Sequence, residues 1–128
     1  MPEIIPLIRV TVMPADTNPY GGVYGGWLMN QIALATGSLA SLTARGKCVV
    51  DAADELRFTG AKAVGDELSV FVRIDKQGRT SLTVAADAIA RERDGEGETP
   101  VASGRFTFIV FNKYDKLRTI AAEENADG

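Results

Sequence analysis

The feature that most constrains this chain is a long stretch without charge. From Gly25 through Ala44, 20 residues contain no Asp, Glu, Lys or Arg. Trp27, Leu28, Ile32, Leu34, Leu39 and Leu42 supply apolar mass, and Ala33, Ala35, Thr36, Gly37, Ser38, Ala40, Ser41 and Ala44 lie between them. A helix resting on a protein surface pairs an apolar stripe with a charged face. The lack of such a face predicts a helix from about Tyr24 to Arg45, roughly 30 Å long. It is expected to be buried over most of its circumference, with small residues where backbone must approach closely. Arg45 in the last turn and Gly46 after it suit its C-terminus. No apolar run in the chain approaches the roughly 20 residues of a membrane span.

Strand-forming segments surround this helix. Residues 4–13 are β-branched and apolar, with Pro6 near the start, and residues 14–22 are dense in turn formers. After the helix come strand runs at 48–58, 66–75, 79–91 and 101–112, punctuated by Gly65-Asp66, Gln77-Gly78 and Asp94-Gly95-Glu96-Gly97. Leu68, Val70, Val72 and Ile74 alternate with Glu67, Ser69, Phe71 and Arg73, and Phe106, Phe108 and Val110 share one face of the last run. The order β-α-β-β-β-β predicts an α+β fold, an antiparallel sheet curled around one long helix. The 128 residues suit a single domain, expected over 1–118, followed by an acidic, flexible tail at 119–128.

Composition removes whole classes of chemistry. With 14 basic against 17 acidic residues the formal charge is −3, which offers no footprint for nucleic acid. The chain has no His, so Ser-His-Asp and Cys-His catalysis and His-ligated zinc are excluded. Cys48 is the single cysteine, so no internal disulfide or thiolate cluster forms and no metal site is expected. Together with the absence of a basic start at Met1-Pro2-Glu3, this suggests a cytoplasmic protein with no membrane partner. The glycine-rich run Gly21-Gly22-Val23-Tyr24-Gly25-Gly26 fits neither a dinucleotide fingerprint nor a Walker loop. An enzyme built from this chain must work with carboxylates, amides, hydroxyls and backbone dipoles.

Several motifs occur in a telling order: Met13-Pro14-Ala15-Asp16-Thr17-Asn18, then Gly25-Gly26-Trp27-Leu28-Met29 with Gln31, then Phe58, Val64-Gly65-Asp66 and Gly78-Arg79-Thr80-Ser81. In this order and spacing the chain resembles the hotdog-fold acyl-CoA thioesterases, most closely the YciA-like group, over roughly residues 7–112. The resemblance implies a sheet wrapped around a central helix and two subunits joined edge to edge through their sheets. It further implies acyl-CoA bound at the dimer interface and hydrolysed to a free carboxylic acid and CoA. No metal or redox cofactor is implied, since CoA enters only as part of the substrate. Dimers are expected, with tetramers or hexamers as higher assemblies.

The residues themselves suggest how such a site would work. The first N–H groups of a helix opening at Gly25-Gly26 have no intrahelical acceptor and sit at the positive end of its dipole. A thioester carbonyl placed at Gly26 would have its developing oxyanion stabilised there; otherwise the glycines serve only a tight turn. By resemblance, Asn18 corresponds to the asparagine of the family's Asp-x-Asn and would position the water or the carbonyl; otherwise it is a turn residue. Asp16 reads as structural, accepting backbone N–H groups within its loop. Related enzymes carry a carboxylate either at the position of Asn18 or two residues after the Gln, which here is Ala33. Alternation through residues 51–58 offers a substitute. With Leu56 and Phe58 facing the helix, Ala52 and Asp54 are expected on that same side, and Asp51, Glu55 and Arg57 on the other. Asp54 is therefore expected either to orient or deprotonate the water, or to pair at the interface. If it does not act, the alternative is a catalytically weak or inactive acyl-CoA binding or sensing protein. Gly78-Arg79-Thr80-Ser81 resembles the segment that contacts the CoA nucleotide, with an exposed polar hairpin as the plain reading.

Overall fold

The computed structural model describes residues 6–60 and 63–120. The elements run in the expected order: β1 (Ile8–Thr11), α1 (Gly25–Ala44), β2 (Lys47–Phe58), β3 (Glu67–Gln77), β4 (Ser81–Arg91) and β5 (Glu98–Phe111). A single 3₁₀ turn, Pro14–Asp16, interrupts the loop between β1 and α1. The strands form one five-stranded sheet in the order β1-β3-β4-β5-β2, and every pairing is antiparallel. This is the α+β architecture expected from the sequence. Of the strand expected over 4–13, Ile4 and Ile5 lie outside the described residues.

One face of the sheet packs on α1. Leu68, Val70, Leu82, Val84, Phe106, Phe108 and Val110 meet Leu28, Ile32, Ala35, Ala40 and Ala44 in a single core. Small residues on the helix serve close approach: a Cβ built on Gly37 would stand 3.6 Å from the Phe108 ring. Thr36 is fully buried, and its hydroxyl donates to the carbonyl of Ile32 at 2.8 Å, so the polar group is satisfied inside the helix.

The burial expected of α1 is only half realised within one chain. A sheet covers one side of a helix, and the opposite side leaves Met29, Leu34 and Leu42 exposed, with Leu34 at 56% and Leu42 at 68%. Their surroundings on the helix remain uncharged, so this is an apolar face without a solvated counterpart. The helix ends as predicted in position but not in detail. Arg45 itself takes the left-handed conformation (φ 57°), and the Arg118 guanidinium lies 3.0 Å from the point where a Cβ on Gly46 would stand. That guanidinium donates to the carbonyl of Ala44 and caps the helix.

Ile120 is buried in the core, and its N–H donates to the carbonyl of Arg79 at 2.6 Å. Ile120 falls within the stretch expected as a tail, and its apolar side chain folds back to be covered by the core. The rest of the expected tail, 121–128, lies outside the described residues.

Candidate active site

The loop before α1 is built around two side chains. Asp16 Oδ2 accepts the N–H of Met13 at 2.9 Å, and the Asp16 carbonyl accepts the N–H of Tyr24 at 2.7 Å, latching the loop to the start of the helix. Its carboxylate is thus committed to the local turn, as the sequence suggested. Asn18 Oδ1 accepts the N–H groups of Tyr20 at 2.8 Å and Gly22 at 3.1 Å, an arrangement typical of Asx turns. Its backbone closes the same turn through Asn18 N–H to the Gly22 carbonyl at 2.7 Å and Gly21 N–H to the Asn18 carbonyl at 3.0 Å. The amide oxygen is spent on the loop, and the Nδ2 hydrogens are the part of Asn18 left to face a ligand.

Two residues on, the chain enters α1. The Tyr24 carbonyl accepts Trp27 N–H at 3.0 Å and Leu28 N–H at 3.2 Å. The N–H groups of Gly25 and Gly26 find no acceptor among the described residues, as expected for a helix start. Gly25 has open space where a Cβ would stand, while at Gly26 the Tyr24 ring comes within 3.1 Å of that point. Both glycines are exposed, so the positive end of the helix dipole meets the surface. Trp27 and Leu28 pack inward beside Val12, Val23, Gly60, Leu68, Ala90 and Val101 around a space of only about 10 Å³. Such a space holds no acyl chain, against the several hundred Å³ of an ordinary ligand cavity.

β2 departs from the alternation that placed Asp54. Its pairing with β5 is interrupted twice, between Val50 and Ala52 and between Asp54 and Arg57. Val50 is opposite Phe108, on the helix side, but after the first bulge Ala52 is opposite Thr107 and Asp54 is opposite Arg105, on the outward side. After the second bulge, where Glu55 takes a left-handed φ of 54°, Phe58 returns to the helix side opposite Ala102. Leu56 and Phe58 therefore face inward as expected, whereas Ala52 and Asp54 do not. The helix-facing placement of Asp54 is corrected, because each extra residue reverses a period-two pattern. Outside the sheet, Arg105 pairs with Glu55 at 3.4 Å and with Asp75, and Arg73 pairs with Asp87 at 3.4 Å. With Arg57 these side chains border a cavity of about 230 Å³ on the face away from α1.

Gly78–Ser81 forms the β3–β4 hairpin. Gly78 N–H donates to the Ser81 carbonyl at 2.9 Å, and a Cβ on Gly78 would stand 2.8 Å from Ser81 Oγ. The carbonyls of Arg79 and Thr80 accept the N–H groups of Ile120 and Val110, leaving the Arg79 side chain exposed. This hairpin lies by the C-terminal end of α1, about 30 Å along β3 from the helix start near Leu68. One chain therefore does not bring Arg79, Thr80 and Ser81 together with Asn18 and Gly26. The grip of Ile120 on the hairpin was missed from sequence; a β-branched apolar residue just ahead of the acidic end of the chain was its signal. Cys48, near the same end, is half-buried, and burial pushes its thiol up against the opposing effects of a Ser41 hydrogen bond and the Arg118 charge. Among the described residues no group of His, Cys, Asp and Glu side chains is arranged to hold a metal, and no helix is long and apolar enough to cross a membrane.

Comparison with known proteins agrees with this architecture. The sequence model of the thioesterase superfamily matches residues 20–96. An uncharacterized acyl-CoA thioester hydrolase of Zymomonas mobilis is 40% identical over 108 residues, covering 84% of this chain and 72% of that protein. The acyl-CoA thioester hydrolase YciA of Escherichia coli is 29% identical, covering 91% of each chain. Among solved structures, a hexameric broad-specificity acyl-coenzyme A thioesterase superposes with a TM-score of 0.88 at 31% identity, over 94% of this chain and 89% of that one. The hexameric thioesterase y2039 of Yersinia pestis gives a TM-score of 0.87 at 29% identity, over 95% and 99%. With the helix wrapped by its sheet and the glycine pair at its start, the chain belongs to the thioesterase superfamily and has the hotdog fold.

Proposed function

We propose that this protein hydrolyses acyl-CoA thioesters to a carboxylic acid and CoA, at a site completed by a second copy of the chain. The observation that carries the reading is the exposed start of α1. There the N–H groups of Gly25 and Gly26 are unpaired, and the loop that leads into the helix, with Asn18 on it, is held by its own hydrogen bonds. The thioester carbonyl oxygen would accept from Gly26 N–H, and Asn18 Nδ2 would steady the carbonyl or the attacking water. Water adds to the carbonyl carbon, the C–S bond breaks, and the thiolate of CoA leaves with the proton removed from water. No metal or cofactor is required, because the helix start takes the role of the Lewis acid.

A second copy is supported by the free edge of β2 and the bare face of α1. Among the described residues β2 pairs only with β5, and Val49, Val50 and Phe58 on it are between 45% and 49% exposed. A long apolar edge of this kind is unstable against pairing. Joining two such edges antiparallel about a two-fold axis extends the sheet, covers Leu34 and Met29, and lays one copy's helix start toward the other copy's hairpin end. That is how Arg79, Thr80 and Ser81 would reach the nucleotide of a CoA whose thioester lies at Gly26 of the partner subunit. Relatives named as hexamers suggest that three dimers associate further. The acyl-CoA pool this activity would draw on is cytoplasmic. A binder without turnover finds no support among the relatives named above, which bear hydrolase names.

The test is CoA release, followed by chromatography, from acyl-CoAs of short to long chain. Turnover with at least one chain length is expected. Absence of release across the panel, with binding intact, overturns hydrolysis in favour of the binder.

A further inference from the structure

Hydrolysis needs a group to take the proton from water, and α1 offers none, since no side chain from Gly25 to Ala44 is ionisable. The carboxylates near its start are engaged elsewhere: Asp16 holds the Met13 N–H, and Asp66 is buried with Oδ2 accepting the Ala63 N–H at 3.1 Å. On β2, Glu55 is paired with Arg105 and Asp54 stands opposite Arg105 on the outward face. Asp51 differs from all of these. It is the extra residue of the first bulge, at the point where β2 changes from its helix-facing to its outward-facing register. It is exposed, on the free edge of the sheet, and has no hydrogen bond or ion pair among the described residues. A bulge at a sheet edge re-aims a side chain, and such features gather beside active sites.

Its level along the helix fits the chemistry. β2 returns along α1, so the climb from Lys47 to Asp51 is about 13 Å, at the height of Ala35, in the middle of the uncharged exposed face. A two-fold axis through the middle of β2 would carry the partner's helix start to within about 5 Å of that height. We propose that Asp51 is the general base, deprotonating water for attack on a thioester whose carbonyl is held by the helix start of the second copy. This rests on the hydrolase reading above. In the step, Asp51 Oδ takes a proton from water as the oxygen bonds to the carbonyl carbon; on collapse of the tetrahedral intermediate the C–S bond breaks and Asp51 returns the proton to the CoA sulfur.

The experiment compares wild type, Asp51→Asn, Asp51→Glu and Asp54→Asn for CoA release across pH, with CoA affinity by calorimetry and melting temperature as controls. Asp51→Asn is expected to lose at least about 100-fold in kcat while keeping CoA affinity and melting temperature. It should also lose the acid limb that protonation of the base gives to the wild-type kcat profile, and Asp51→Glu should recover part of the rate. Asp51→Asn turning over like wild type, or the loss appearing in Asp54→Asn instead, overturns the assignment while leaving the hydrolase intact. A wild type that binds CoA and releases none overturns both. Should Asp51→Asn melt early, Asp51→Glu decides: a folded Glu variant whose acid limb is unmoved from wild type rejects Asp51.

Discussion

β3 and β2 are strands of nearly equal length in the same sheet, yet they answer differently to the same rule. In β3, Leu68 and Val70 fall on the helix side and are buried, as strict alternation requires, with Val72 and Ile74 continuing the same face against the core. Hydrogen-bond ladders to β1 and β4 hold it on both sides at its first half. β2 has one ladder among the described residues, and there the pattern reverses twice within 12 residues. A strand locked between neighbours cannot take an extra residue without breaking two ladders, whereas an edge strand breaks one. β3 takes an extra residue of its own, Asp75, only beyond Ile74, where its ladder to β1 has already ended, so alternation holds in the part of β3 that has two neighbours. The edge is also where side chains are released from the core, and there a carboxylate is free to serve chemistry.

Substitutions can break or sharpen this contrast. The largest stability effect should come from β3: Leu68→Ala removes a side chain only 1% exposed and is expected to cost about 2–5 kcal/mol, read by urea unfolding. A loss under 1 kcal/mol would mean that this locked strand is not the rigid part of the sheet. On the other edge, Val49→Lys should leave the fold intact but shift sedimentation toward the single chain, because a charge placed on an unpaired edge opposes strand addition. An unchanged mass would show that copies associate elsewhere.

Smaller effects probe the loop and the second bulge. Asn18→Ala removes two hydrogen bonds to loop N–H groups and should lower stability by about 1–2 kcal/mol, together with a fall in kcat. Unaltered stability would show that the turn does not depend on its side chain. At the left-handed position of β2, Glu55→Gly should be more stable than Glu55→Ala by about 1 kcal/mol, since both lose the Arg105 pair and only Ala bears the strain. Equal melting temperatures would mean that the bulge relaxes. The smallest effect is that of Cys48. With its thiol raised in the folded chain, folding retains a proton that the unfolded chain releases, so stability should decline as pH climbs past the ordinary thiol range. Alkylation of Cys48 should need more alkaline solution than a free thiol, and reaction as fast as glutathione at pH 8 would contradict the burial.

What was legible in the sequence was local. The uncharged run defined α1 to within a residue, the alternation of Leu68 and Val70 identified the core side of β3, and the absence of His confined any hydrolysis to carboxylates and backbone dipoles. The motif order disclosed the family before any coordinate. Tertiary structure alone decided that Asp54 faces outward and Asp51 stands at a bulge, and that Ile120 returns to hold the Arg79 hairpin. The reason is physical. Helix periodicity and turn chemistry are settled by neighbours in sequence, whereas strand register and the burial of a distant apolar residue depend on partners tens of residues away, which no local pattern encodes.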